Sequence, residues 1–181
     1  EGVEDFGMTT NGILLTKYAK SLKEAGLHRV NISLDSMAPE VYHKITRCGN
    51  INDVFSGIEA AKAAGFKNIK INCVIQKSST EPDAKAVGLY CEENDLQIRY
   101  IRQMDLQAGK YWVVEGGTGG DCKICNRLRL TSNGQLKPCL INDMSYDIRK
   151  MGFKESILEA VRCKPKKGVF STSNKFHSIG G

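Results

Sequence analysis

Three cysteines in the stretch DCKICNRLRLTSNGQLKPCL, Cys122, Cys125 and Cys139, have the residue type and spacing to hold a soft metal centre. A C-x-x-C pair lets two thiolates grip one metal or one cluster edge, and the turn signalled by Ser132, Asn133 and Gly134 lets a third fold back onto them. Cys163 and His177 are candidates for a fourth ligand, but neither stands at a short ligand-like spacing from Cys139. Closed structural zinc sites use four ligands, so three leave a coordination position open for chemistry or for substrate. Arg127 and Arg129, two apart in a β-like run, would leave one face together while Leu128 and Leu130 point to the other. Paired guanidiniums beside an open metal suit a phosphate-bearing ligand. From spacing alone an incomplete zinc ribbon, a redox pair and buried thiols stay open, and iron–sulfur is not separated from zinc.

The chain that must position these groups has 181 residues, 41% of them hydrophobic, enough to bury a real core in one domain with a small appendage. No apolar run approaches membrane-spanning length, and EGVEDFGMTTNG does not read as a signal peptide, so a cytoplasmic location with no membrane partner is expected. Seven cysteines, an odd number in an ordinary α/β composition, argue for reduced thiols and metal ligation over a disulfide framework. The absence of a starting Met, with the chain opening inside a strand-like run, reads as a fragment of a longer protein. The net charge of +6 is moderate, and Lys164, Lys166 and Lys167 read as a solvated face. Aromatics are not interleaved with basic residues as a base-stacking surface needs, so a small polyanion such as a nucleotide fits better than nucleic acid.

Between residues 3 and 104 short β-type runs alternate with helical patterns. VEDFGMT, HRVNISLD, FKNIKINCVI and LQIRYIRQM read as four strands. Helices are expected from Leu14 to Ala25, through Val41 and Ile45 after Pro39, from Asp53 to Ala64, and from Glu81 to Asn94, with Gly26 and Gly65 as stops. Such alternation implies βαβ crossovers and a parallel sheet. Residues 105–121, with GKYW and EGGTGGD, read as a linker, and Asp143 to Gly152 and Lys154 to Cys163 as short helices. The expected organisation is therefore 1–104, 105–121 and 122–181.

Function in parallel α/β folds gathers at the carboxyl ends of the strands. That rule selects Thr9, Thr10 and Asn11, then Ser33 and Asp35, then Lys70 and Asn72 on one face, then Arg102 and Met104. Turn-shaping and capping compete with ligand binding for Thr10, Asn11 and Asp35. Lys70 is harder to explain so, because a lysine between Ile69 and Ile71 in a central strand must point its amine into a cavity or toward an anion.

Taken together, GMTTNG, VNISLD, IKINCVIQK, CKICNRLRLTSNGQLKPCL and the terminal IGG resemble the GTP 3′,8-cyclase family, the radical S-adenosylmethionine enzymes that begin molybdenum cofactor biosynthesis. The resemblance covers nearly the whole chain. It implies an α/β fold, a partial (β/α) radical-SAM-type barrel with parallel strands, followed by a C-terminal iron–sulfur region. It implies a lyase that converts GTP to 3′,8-cyclo-7,8-dihydro-GTP, in which a 5′-deoxyadenosyl radical takes hydrogen from ribose C3′ and the sugar radical attacks guanine C8. By the same resemblance Thr9, Lys70, Arg127, Leu128 through its backbone, and Arg129 would bind GTP, while Ser33 and Met104 would contact S-adenosylmethionine. Cys122, Cys125 and Cys139 would hold a 4Fe-4S cluster, and Gly180 and Gly181 would reach into the active site. No residue is identified as catalytic. A cyclic pyranopterin monophosphate synthase would consume the product downstream, and a homodimer is left open as an assembly.

Two features depart from the family pattern. Its radical-generating C-x-x-x-C-x-x-C motif, which would hold a second 4Fe-4S cluster, would precede these residues, so the chain by itself is expected to be inactive. The stretch between Met104 and Cys122 is also shorter than usual for the family. A partial barrel with an open sheet edge is the structural expectation. The competing readings are a non-catalytic zinc or nucleotide-binding module derived from such an enzyme, and a radical enzyme whose auxiliary cluster serves another substrate.

Overall fold

The computed structural model describes residues 2–174. The chain divides into two compact units: one runs to Arg102 and takes back Val114–Gly117, and the other comprises Gln103–Val113 and the residues from Thr118 onward.

The first unit alternates strand and helix: β1 (Gly7–Thr10), α1 (Leu15–Glu24), β2 (Arg29–Ser33), α2 (Pro39–Thr46), α3 (Ile51–Ala63), β3 (Lys70–Ile75), α4 (Pro82–Glu93) and β4 (Gln97–Arg102). Its four strands form one parallel sheet in the order β1-β2-β3-β4. Pro39 opens α2, and the Asn50 side chain caps α3 by accepting the Asn52 N–H at 3.0 Å. Strand alternation sorts the sheet into two unlike faces. Val30, Ile32, Ile71 and Cys73 are fully buried in one core with Leu15, Val54, Ile58 and Val87 from the helices. Each large aliphatic side chain buried there contributes about 1.5–3 kcal/mol. The opposite face carries Thr9, Arg29, Asn31, Ser33, Lys70, Asn72 and Arg99. Sheets wound with helices on both sides are apolar on both faces; a polar second face is what a barrel fragment presents to a polar ligand.

Two expectations about this unit need adjusting. The first strand is Gly7–Thr10, shorter than VEDFGMT, because the Phe6 N–H is taken by His28 Nδ1 at 2.8 Å while only its carbonyl serves the β2 side. Part of the expected linker is ordered against the sheet: Tyr100 and Glu115 exchange backbone hydrogen bonds at 3.0 and 3.1 Å, so Val114–Gly117 covers the outer side of β4. The outer edge of β1 has no strand partner among the described residues.

The second unit holds a three-stranded antiparallel sheet, β5 (Arg129–Leu130), β6 (Gln135–Lys137) and β7 (Tyr146–Asp147), with α5 (Ile148–Met151) and α6 (Phe153–Arg162). The β5–β6 turn is where Ser132, Asn133 and Gly134 placed it, closed by Thr131 Oγ1 accepting the Gln135 N–H at 2.9 Å. The helix expected from Asp143 to Gly152 is mostly not one. Tyr146 pairs with Leu136 in the sheet, and Asp147 then caps a single helical turn that ends at Gly152. Helix α6 packs through its small residues Ser156 and Ala160, leaving Phe153, Ile157, Leu158 and Val161 exposed. Among the described residues no helix is long and apolar enough to cross a membrane.

Candidate functional site

On the polar face of the first unit, register brings Thr9, Asn31, Lys70 and Gln97 into one row and Ser33, Asn72 and Arg99 into the next. Asn31 Nδ2 donates to Thr9 Oγ1 at 3.3 Å, and Arg29 donates to Asn31 Oδ1 at 3.4 Å and to the Asp5 carboxylate at 2.8 Å. Burial, and then the guanidiniums of Arg99 and Arg29, hold the Lys70 ammonium below the usual lysine range, with Asp5 acting the other way. Asn72 Oδ1 is buried with no hydrogen-bond partner. A buried acceptor left unpaired costs about 1–3 kcal/mol, which a donor on a bound ligand would recover. This face therefore presents cations, an orphaned acceptor and a hydroxyl in adjacent rows, a surface suited to a phosphorylated, hydroxylated ligand.

The neighbouring strand-end residues do structural work. Thr10 Oγ1 accepts the Gly12 N–H at 3.1 Å and Asn11 Oδ1 the Ile13 N–H at 3.2 Å, so both shape the turn into α1. Asp35 accepts the Val74 N–H at 2.7 Å, and burial raises its carboxyl above the usual range. A cleft of about 570 Å³ between α4 and β4, lined by Leu89, Leu96, Ile98 and Tyr100 among others, contains none of the sequence-predicted site residues.

The second unit collects the thiols. Cys139 feels both Cys122 and Cys125; burial raises its thiol, while a hydrogen bond from the Ile141 backbone and the Lys164 ammonium act in the opposite direction. Tyr111 Oη lies 3.2 Å from Cys122 Sγ and donates to the Gly168 carbonyl at 3.1 Å. Burial first, then the bond to Cys122, push the Tyr111 hydroxyl up to about 12. A Cβ on Gly168 would stand 3.3 Å from Cys139 Sγ and 2.7 Å from Ile141 Cβ, so the glycine gives the thiol its space. Among the described residues no three His, Cys, Asp or Glu side chains converge as a ligand set. The donor chemistry nonetheless fits a thiolate-bound centre: three free thiols share one loop, with a backbone N–H and an ammonium placed to favour thiolate.

Lys164 is not part of a solvated face. Its ammonium donates to the Arg127 carbonyl at 2.7 Å and the Pro138 carbonyl at 2.6 Å, tying the Cys125 arm of the loop to the Cys139 arm. The strand covers only Arg129–Leu130, so Arg127 precedes it and is exposed, its guanidinium donating to Thr118 Oγ1 at 2.8 Å. Arg129 is half-buried; burial and then Arg127 lower its pKa, while Cys125 and Cys139 raise it. Leu128 is half-buried between them, and Met104, also half-buried, immediately precedes the Asp105–Lys110 bridge. Gly180 and Gly181, like His177, lie outside the described residues.

A strap of residues 168–174 is fastened beside this loop. Asp143 accepts hydrogen bonds from the side chains of Ser171, Thr172 and Ser173 and from the backbone of Thr172 and Ser173, while Asn174 Nδ2 donates to the carbonyls of Leu140 and Asn142. These bonds hold the Asp143 carboxyl well below the usual carboxylate range. A depressed folded-state value means the stabilisation is present above the unfolded carboxyl pKa and is lost only as pH falls through the folded value. Amide protection of Thr172 and Ser173 in hydrogen exchange is thus expected to persist down to about pH 4. In Asp143→Asn it should be reduced throughout that range; equal protection in the variant would refute the latch.

Tyr111, Arg29 and Lys164 were not singled out for these roles by spacing. Asn72 was legible as a strand-face partner of Lys70, but nothing in the sequence marks a tyrosine in GKYW as a neighbour of Cys122.

Residues 1–88 match the family model described as the Radical SAM superfamily. The chain is 34% identical to the GTP 3′,8-cyclase of Thermodesulfovibrio yellowstonii, a match covering 92% of this chain and 68% of that protein. It is 35% identical to the GTP 3′,8-cyclase of Limosilactobacillus fermentum, over 91% of this chain and 65% of the relative. Against the GTP 3′,8-cyclase of Petrotoga mobilis the identity is 33%, over 99% and 73%. The chain spans about two thirds of the length of these curated relatives. The first alignment runs over 219 positions against 92% of a 181-residue chain, so dozens of its positions are occupied only in the relative.

Proposed function

This chain belongs to the GTP 3′,8-cyclase family of radical S-adenosylmethionine enzymes, and from that membership we propose that it forms the GTP-binding and C-terminal-cluster portion of an enzyme converting GTP to 3′,8-cyclo-7,8-dihydro-GTP. The observation that carries the proposal is the cysteine loop of the second unit, where Arg129 is half-buried and coupled electrostatically to Cys125 and Cys139, with Arg127 nearby. Three thiols beside two guanidiniums combine a soft-metal donor set with a polyphosphate-binding pair.

In this reading Cys122, Cys125 and Cys139 hold a 4Fe-4S cluster, whose iron without a cysteine supplies an open position for the purine. Arg127, Arg129 and the Leu128 backbone bind GTP, and Thr9 and Lys70 bind it from the sheet face. Ser33 and Met104 contact S-adenosylmethionine, and Gly180 and Gly181 enter the active site. Lys164 keeps the two arms of the loop at a fixed separation, and Tyr111 holds Cys122 until the centre is assembled. A second 4Fe-4S cluster belongs to the cleavage of S-adenosylmethionine. A cytoplasmic location is consistent with seven free thiols, and the product would pass to a cyclic pyranopterin monophosphate synthase.

Anaerobic reconstitution of the chain with iron and sulfide tests this. The expected product is a brown, oxygen-sensitive protein whose paramagnetic resonance spectrum changes when GTP is added and does not change with ATP. Stoichiometric zinc with no iron uptake would sink the cluster reading and favour a zinc-bound nucleotide module.

A further inference from the structure

We propose that Arg29 is a further substrate-positioning residue, a phosphate clasp held over Gly7 by Asp5 and passed to the polyphosphate end of a nucleotide bound on the polar sheet face. The inference rests on the nucleotide reading of that face and adds to it a residue and a counterion.

The clasp follows from how β1 and β2 meet. Gly7 pairs with Arg29, and a Cβ on Gly7 would fall 2.8 Å from both Cζ and Nη1 of Arg29. The guanidinium therefore occupies the space that a side chain at Gly7 would fill. One row along, Arg29 reaches Asn31, which reaches Thr9, so the cation is wired to a residue of the proposed GTP site. It is also close enough to Lys70, together with Arg99, to disfavour that lysine's charge. Like charges gathered on one face are costly unless an anion joins them. Asp5 supplies one negative charge, but it is a poor permanent partner. Its side chain is 56% exposed and that of Arg29 is 29% exposed, and exposed ion pairs hold by no more than about 1 kcal/mol. A polyphosphate brings several charges and a bidentate surface for the same guanidinium. Asp5 then acts as a placeholder that keeps Arg29 extended and yields to the stronger anion.

The experiment titrates the full chain with GTP, guanosine and inorganic tripolyphosphate by calorimetry, at low and at moderate salt. Arg29→Gln should weaken GTP and tripolyphosphate by about tenfold or more, the scale of a charge-assisted hydrogen bond, and leave guanosine unchanged. Asp5→Asn should tighten both polyphosphates several-fold, because the competing anion is gone while Arg29 is intact. Lys20→Gln, on the exposed side of α1, should change neither. Unaltered GTP binding in Arg29→Gln overturns the clasp and leaves the GTP reading standing. Weakening in Asp5→Asn as large as in Arg29→Gln also overturns it, since the pair would then be structural. Arg29-dependent tripolyphosphate binding as tight as that of GTP, with no binding of guanosine, supports the clasp and removes the guanine reading instead. Failure of the unmodified chain to bind either polyphosphate overturns the proposal.

Discussion

A Cys139→Ala chain is expected to emerge colourless from anaerobic iron and sulfide reconstitution, with iron uptake falling to the level of adventitious metal. Cys122 and Cys125 sit on one short arm, so the third thiol is what makes a corner of the site; with it gone, two ligands remain on one edge. The surroundings of Cys139 are also the most specialised of the three. Burial raises its thiol, the Ile141 backbone and Lys164 act against that rise, the Gly168 backbone leaves it room, and Lys164 fixes the adjacent Pro138 carbonyl. Cys163→Ala is the informative control. That thiol lies 3.3 Å from a Glu159 carboxylate oxygen and bonds to Tyr146, a local arrangement in and beside α6, and its loss should leave the chromophore intact. Full iron content in Cys139→Ala together with loss in Cys163→Ala would mean that the ligand set has been drawn around the wrong third cysteine.

The sequence made the architecture of the first unit legible because each signal there is local. Alternation marked β2 and β3, Pro39 marked a helix start, and Gly26 and Gly65 marked stops, all within a few residues of their effects, while the start of α3 at Ile51 lies two residues before the expected Asp53. It also identified Lys70 as anomalous, and the structure supplies the reason: its strand neighbours Ile69 and Ile71 are buried on the core side while Lys70 joins Arg29 and Arg99 on the other. Legibility failed where partners are distant in sequence. Lys164 meets Arg127 and Pro138 across 37 and 26 residues, so a lysine-rich run looked like surface. Tyr146 was read as helical because its strand partner, Leu136, lies across a loop. Arg29 reads as an ordinary strand-end cation until Gly7 is seen opposite it. The thiols illustrate a further limit. Their spacing named the donors, but the surroundings of Cys122 and Cys139 include Tyr111 and Gly168, neither of which belongs to the motif.

Gly57→Ala is expected to destabilise the first unit by roughly 2 kcal/mol or more and to weaken GTP binding with it. On an exposed helix the same change would be favourable by about 1 kcal/mol, since glycine is the poorer helix former. Here the sign reverses because α3 crosses the turn after β1 at backbone distance. A Cβ on Gly57 would lie 2.1 Å from the Gly12 carbonyl oxygen and 3.1 Å from its carbon. That oxygen already accepts the Leu15 N–H at 3.0 Å at the start of α1, and Gly12 itself is fixed with φ +83 against Ile32 Cγ2. The clash is with backbone, so no side-chain rotation relieves it; either α3 lifts from the core or the Thr10–Gly12 turn shifts. The first option opens space around Val54 and Ile58, both fully buried. The second moves Thr9, one residue before the turn, away from Asn31 and out of the row it shares with Lys70. Chemical denaturation followed by helical circular dichroism should register the loss of stability, and calorimetric GTP titration the loss of affinity. Ser56→Ala, one position away and exposed, should stay within about 0.5 kcal/mol of the unaltered chain. Should Gly57→Ala match that neutral control in both measurements, α3 does not rest on the Gly12 carbonyl, and the seating of the Thr9 row would have to come from the strands alone.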